Sequence, residues 1–150
     1  MDLILWRNGE AEEHEDDLRR RLSTKGRKQV ARAAEWLLLR LPARFTVIAS
    51  PALRAHQTAQ ALGRPIKVEP SLAPGAAPEA IIEAVGWPQA KGAVVVVAHQ
   101  PDLGRALARL VTGAQHPWSI KKGGVWWLSH RVRSEEPQVV LRAVTGPDFL

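Results

Sequence analysis

A chain of 150 residues, 45% hydrophobic and 24% charged, has the size and composition of one globular domain spanning residues 1–150 with a full-sized core. It has no cysteine, which excludes disulfides and thiolate metal sites and fits a cytoplasmic protein; no apolar run reaches membrane-span length, and Asp2 with the short run behind it does not make a signal peptide. The formal net charge of +6 favours anionic partners, but Tyr is absent and only two Phe are present, so stacking platforms for nucleic acid are missing and that partner ranks last.

The first predicted element is a strand, Asp2–Arg7, whose apolar residues are consecutive, as in a strand covered on both faces. It stops at Arg7-Asn8-Gly9, where glycine permits a close backbone approach. Residues 10–17 are acidic and without period, and read as a loop. Their Asp and Glu with His14 lack the spaced partners of a metal site. Arg19-Arg20-Arg21 closes the loop, either as a basic turn paired with the preceding acids or as a rim for a phosphorylated partner. Ser23 or Thr24 caps a helix whose apolar face is Val30, Ala33, Ala34, Leu37, Leu38 and Leu41, and Pro42 stops it. Trp36 in this helix reads as packing.

Phe45–Ala49 is a second strand. Ser50-Pro51 then has the chemistry of an N-cap and first helical position, so a helix is expected over residues 50–62, ending at Gly63. Arg54 falls in its first turn, where a cation gains nothing from the helix dipole unless an anion sits there. Ile66–Val68 is a brief strand, residues 69–78 a surface loop, and residues 78–85 a short helix. Ala93–Ala98 is β-branched and wholly apolar, the best candidate for the central strand. It ends at His99, and Pro101 opens a helix with Leu103, Leu107, Leu110 and Val111 on one face and Gly113 at its end. Lys121-Lys122-Gly123-Gly124 precedes a strand over residues 125–129, and residues 139–144 form another. Trp126 and Trp127 must point to opposite sides of a regular strand. Gly146-Pro147 begins the tail.

Strands alternating with helices predict an α/β three-layer sandwich: a central, largely parallel sheet with helices on both faces. Ligands of such sheets bind beyond the carboxyl ends of the strands. Three of those ends carry polar residues: Arg7 and Asn8, then Ser50 with Arg54, then His99. Parallel strands would bring two guanidiniums, an imidazole and two helix N-termini to one edge. Arginine forks match phosphate oxygens in pairs, so the expected ligand is a phosphoryl group. Each feature alone also fits a surface ion pair, a structural histidine or ordinary capping. His14, His56, His116 and His130 have no such company and read as surface or packing residues.

In these stretches the chain resembles the histidine phosphatase superfamily, the phosphoglycerate-mutase-like fold, and within it the compact SixA-type phosphohistidine phosphatases. The family opens with a strand ending Arg-His-Gly, here Arg7-Asn8-Gly9. Its Leu-Thr-x-x-Gly-x-x-Gln helix entry reads Leu22 to Gln29. Ser-Pro-x-x-Arg-Ala-x-Gln-Thr is matched completely by residues 50–58, and the apolar strand ending in His before x-Pro is Ala98-His99-Gln100-Pro101. The resemblance implies that Arg7, Asn8, Arg54 and His99 line a phosphate site and that Arg7, Arg54 and His99 stabilise its equatorial oxygens. It implies no metal and no other cofactor. Its ligands would be a phosphorylated protein or small phosphorylated molecule, with inorganic phosphate or sulfate also occupying the pocket. Glu10 is a candidate proton donor.

Asn8 stands where the family has its nucleophilic histidine. An amide nitrogen is a poor nucleophile and no base, though it can donate hydrogen bonds to phosphate. The resemblance thus implies a phosphohistidine phosphatase with impaired or altered activity, or a phosphoryl-binding module without turnover. Three origins for Asn8 stay open at this point: lost catalysis, a substitution that traps a bound state, or chemistry in which His99 or water attacks directly.

Overall fold

The computed structural model describes residues 1–150. One six-stranded sheet organises the chain: β1 (Asp2–Arg7), β2 (Phe45–Ala49), β3 (Ile66–Val68), β4 (Ala93–Ala98), β5 (Val125–Arg133) and β6 (Glu136–Thr145), in the order β3-β2-β4-β1-β5-β6. β3, β2, β4 and β1 run parallel, and β5 and β6 complete the sheet antiparallel. The expected α/β sandwich is present. β4 is flanked by β2 and β1, in the central place expected from its unbroken apolar sequence.

Four helices cover the sheet: α1 (Thr24–Leu38), α2 (Leu53–Gln60), α3 (Pro78–Ala84) and α4 (Asp102–Thr112). Alternate side chains of the central strands enter two separate cores. Ile4, Trp6, Val95 and Val97 pack with Val30, Ala34 and Leu37 of α1 and Ala55 and Ala59 of α2. Leu3, Leu5, Val94 and Val96 pack with Ile81 of α3 and Leu103 and Leu107 of α4. Period-two alternation thus puts apolar residues on both sides, which is why β1 and β4 read as continuous hydrophobic runs. Trp127 enters the first core and the half-buried Trp126 packs against the second, so the two tryptophans lie on opposite faces. Trp36 meets Trp127 edge to face at 6.3 Å, in the packing role expected of it. No helix is long and apolar enough to cross a membrane.

Several boundaries differ from the sequence reading. α1 is capped by Ser23, whose Oγ accepts the Gly26 N–H at 3.0 Å, but it ends at Leu38, and Leu41 packs against the core from a following turn. α2 begins two residues later than expected: Ala52, not Ser50, occupies the N-cap position, and it gives no side-chain cap. The last two strands form a longer hairpin than their apolar cores indicate, turning at Ser134 and Glu135 with φ of 50° and 68°. The tail closes with a short 3-10 turn, Pro147–Phe149.

Two glycines let the first loop reach α1. A Cβ on Gly26 would collide with the carbonyl oxygen of Glu10, and one on Gly9 would lie 2.7 Å from Val30 Cγ2. Gln29 Oε1 then accepts the Glu10 N–H at 3.0 Å. The Gly-x-x-Gln spacing is therefore the seam between α1 and the chain leaving β1.

Candidate functional site

The parallel strands end in step. Arg7 pairs with Ala98 across β1 and β4, and Ala49 pairs with Val97 across β2 and β4. The residues immediately beyond are Asn8, His99 and Ser50, and backbone bonds continue the register: Asn8 N–H to Ala98 O at 3.3 Å and Ser50 N–H to Val97 O at 3.0 Å. Arg54 arrives one helical turn after Ser50, at the start of α2. Arg7, Asn8, Arg54 and His99 thus line one cavity of about 140 Å³, as the topology of the sequence reading requires.

Asn8, Arg54 and His99 are buried, at 7%, 7% and 4% exposure. The Asn8 amide donates to Gly9 O at 2.9 Å, which turns its Oδ1 toward His99 Nδ1 at 3.0 Å. An amide oxygen only accepts, so His99 Nδ1 carries the proton. His99 Nε2 lies 2.6 Å from Ser50 Oγ, which also accepts the Ala52 N–H at 3.1 Å. The consistent arrangement is a neutral imidazole with Nδ1–H donating to Asn8 and Nε2 accepting from the Ser50 hydroxyl. Burial, then Arg54, push the His99 pKa down to about 4; Asp17 opposes them, and Arg7 adds a smaller push downward.

Each guanidinium is held by a carbonyl. Arg7 Nη1 donates to Ile120 O at 2.7 Å, and burial lowers its pKa from the ordinary arginine value. Arg54 Nη1 donates to Asp17 O at 2.8 Å, and Nη2 pairs with Asp17 Oδ2 at 3.2 Å. Desolvation pushes the Asp17 carboxyl up, but Arg54 and Arg20 outweigh it and hold it below its usual range. The rest of the Ser-Pro-x-x-Arg-Ala-x-Gln-Thr stretch fastens α2 in place. Gln57 Oε1 accepts the Leu22 N–H at 2.8 Å, and Thr58 Oγ1 donates to Arg54 O at 2.8 Å while accepting the Gly9 N–H at 3.3 Å.

The site corrects several details of the sequence reading. Ser50 binds His99 rather than capping α2. One Asn8 amide hydrogen is used on Gly9, so its capacity to donate to a ligand is halved. Glu10 Oε2 accepts from Ser23 Oγ at 2.8 Å, and Glu10 does not line the cavity. The N-terminus of α4 is closed: Gln100 Oε1 accepts the Gly104 N–H at 2.7 Å, and Leu103 N–H reaches His99 O at 2.8 Å. Asp102, in its first turn, accepts the Gly75 and Ala76 N–H groups at 2.9 and 3.0 Å, and burial raises its pKa.

Arg19, Arg20 and Arg21 pair with Asp16, Asp17 and Glu12 respectively, the paired turn that was one of the two readings. Arg20 nevertheless also lines the cavity, and so does Lys122. Lys122 is placed by the turn before β5, where Gly123 N–H meets Asn8 O at 3.1 Å and Trp6 Nε1 donates to Gly123 O at 3.2 Å. Sequence reasoning missed Lys122 as a site residue. The signal for it was the Lys-Lys-Gly-Gly stretch immediately before a strand. The cavity therefore gathers Arg7, Arg20, Arg54 and Lys122 with no lining carboxylate. Such a lining suits a compact multivalent oxyanion.

Solved structures of phosphatases share this fold. The model of the histidine phosphatase superfamily (branch 1) matches residues 3–76. The chain belongs to the histidine phosphatase superfamily. It is similar over 99% of its length to the protein histidine phosphatase SixA in complex with tungstate, which is covered to 99%, with a TM-score of 0.78 and 23% identity. A phosphoserine phosphatase variant from Entamoeba histolytica, solved in complex with phosphoserine, superimposes with a TM-score of 0.71 at 15% identity, over 99% of this chain and 98% of that one. An uncharacterized protein of Picosynechococcus sp. is 34% identical over 139 residues, covering 83% of this chain and 82% of that protein.

Proposed function

We propose that this chain is a phosphohistidine-phosphatase-like protein whose cavity takes the phosphoryl group of a phosphorylated histidine on a protein, with hydrolysis impaired by Asn8. The observation that carries this reading is the lining of Arg7, Arg20, Arg54 and Lys122 around the strand-end residues Asn8 and His99, without a carboxylate. Arg7 and Arg54 would hold the phosphoryl oxygens through their forked N–H groups. They would also offset charge on the equatorial oxygens as the bond to phosphorus breaks. Tungstate and phosphoserine in structures of the same fold support an oxyanion as the ligand.

A second reading, a phosphoryl-binding module without turnover, is favoured by one contact set. Asn8 offers no nucleophilic nitrogen, and both ring nitrogens of His99 are held by Asn8 and Ser50. Attack by His99 would first have to break the Ser50 bond at 2.6 Å. Two proteins separate the readings: the chain as it stands and Asn8→His, each assayed on a phosphohistidine protein and a chromogenic phosphate ester, with phosphate affinity measured alongside. The expected result is phosphate binding by both and a rise in turnover of at least about a thousandfold in Asn8→His. Efficient turnover by the unaltered chain rejects the binding module, and absence of turnover in both rejects the phosphatase reading. Unchanged phosphate affinity in Arg54→Ala rejects the cavity as the phosphate site.

A further inference from the structure

A second, larger depression of about 490 Å³ adjoins the cavity and shares Arg7 and Lys122 with it. Its rim carries Lys25 and Lys121 as well, against a single carboxylate, Asp148, which pairs with Lys121 at 3.4 Å. Neither Lys25 nor Lys122 has an ion-pair partner. Lys25 moreover stands in the first turn of α1, where a cation opposes the helix dipole. Its place is unfavourable for the helix alone and is compensated if an anion lies over the groove. Apolar surface is present too: Trp126 lines the groove, and Phe149 on its wall is 84% exposed. A bare inorganic oxyanion would fill the small cavity and leave this groove unused.

We infer that the groove binds the polypeptide flanking the phosphorylated residue, and that it selects flanks carrying carboxylates beside an apolar side chain. This deepens the proposed function, because it rests on the phosphoryl group occupying the adjoining cavity. The lysines supply charge complementarity and Trp126 with Phe149 the apolar contact, the mixture from which interface cores and rims are built. Arg7 and Lys122, common to both depressions, face the junction between phosphoryl group and flank.

The test is calorimetric titration of the full chain with inorganic phosphate and with two peptides bearing a non-hydrolysable phosphonate analogue of phosphohistidine. One peptide has Asp/Glu flanks and the other has Ser/Gln flanks; unphosphorylated forms of both are titrated as well. The acidic-flanked analogue is expected to bind about tenfold more tightly than the neutral one at low ionic strength. Lys25→Ala/Lys121→Ala, two exposed residues outside the phosphoryl cavity, should remove most of that preference and leave inorganic phosphate affinity within about twofold. Equal binding of the two analogues, or a preference that survives the double substitution, overturns the inference. The phosphoryl reading fails separately: if inorganic phosphate does not bind but the unphosphorylated acidic peptide is still preferred through Lys25 and Lys121, the groove stands without its neighbour. If neither phosphate nor either kind of acidic peptide binds, both readings fall.

Discussion

His99 Nδ1 lies 3.0 Å from Asn8 Oδ1, and the bond defines the charge state of the site. The Asn8 oxygen only accepts, and its orientation is fixed by the bond from Nδ2 to Gly9 O at 2.9 Å. A neutral imidazole satisfies this oxygen with Nδ1–H and the Ser50 hydroxyl with Nε2. Protonation of Nε2 would force the Ser50 hydroxyl to turn its hydrogen away from the ring and would add a third cation beside Arg54 and Arg7. The geometry and the lowered pKa therefore have one cause, a histidine built into the fold in its neutral form.

Stability should follow that protonation. His99 is depressed in the fold to about 4 from its ordinary 6.5, so between these values the unfolded chain binds more protons than the folded one. The stabilisation is fully present above about pH 6.5 and is lost as pH falls toward 4, by as much as about 3 kcal/mol. Urea denaturation across this range should show the decline in the unaltered chain and a smaller decline in His99→Gln. A parallel pH dependence in both proteins would remove His99 as its source.

Ser50→Ala should be costly in a way that capping does not explain. Its hydroxyl, wholly buried, is the partner of His99 Nε2 at 2.6 Å, and removing it leaves a buried ring nitrogen unsatisfied, at about 1–3 kcal/mol. The His99 pKa and tautomer, followed by nitrogen-15 NMR, should shift in Ser50→Ala. A loss of stability with unchanged histidine signals would mean that the hydroxyl acts through the Ala52 N–H instead.

Much of this site was legible because it depends on short-range rules applied to a parallel sheet. Consecutive apolar residues marked β1 and β4 as doubly covered, and parallel strands place their following residues on one edge. Arg7, Asn8, Ser50, Arg54 and His99 followed from that. What escaped depends on partners distant in the chain. Ser50 looked like a cap because its true partner is 49 residues away, and Asp17 looked like loop surface because Arg54 is 37 residues away. Lys122 became a site residue only once β5 was known to lie antiparallel beside β1. The hairpin of β5 and β6 was underextended because its turn uses Ser134 and Glu135 at positive φ, where glycine or asparagine would have announced it.

Gly26→Ala should reverse the ordinary sign of a glycine-to-alanine change in a helix. Alanine is the better helix former by up to about 1 kcal/mol, but here its Cβ would meet the Glu10 carbonyl, a backbone atom that cannot swing aside. The expected net effect is a loss of about 1–3 kcal/mol, read by urea denaturation. Weaker phosphate binding should accompany it, because the displaced segment leads back to Asn8. A stabilised Gly26→Ala protein would show that the seam between α1 and the first loop is looser than its contacts imply.

Asp17 is the carboxylate through which charge at the cavity can be tuned. Its backbone oxygen and Oδ2 both hold Arg54, at 2.8 and 3.2 Å, and Arg20 lies 3.4 Å from Oδ1. Asp17→Asn keeps an acceptor for Arg54 Nη2 and leaves the backbone bond untouched, so the guanidinium should stay in place. The negative charge beside the cavity is removed, and a dianion should then bind about threefold more tightly at low ionic strength, with the gain shrinking in salt. Sulfate is the appropriate probe, since it does not titrate near neutral pH. Tighter sulfate binding identifies Asp17 as an electrostatic brake on the site. Weaker binding in Asp17→Asn that Asp17→Glu restores would instead identify the carboxylate as the group that orients Arg54.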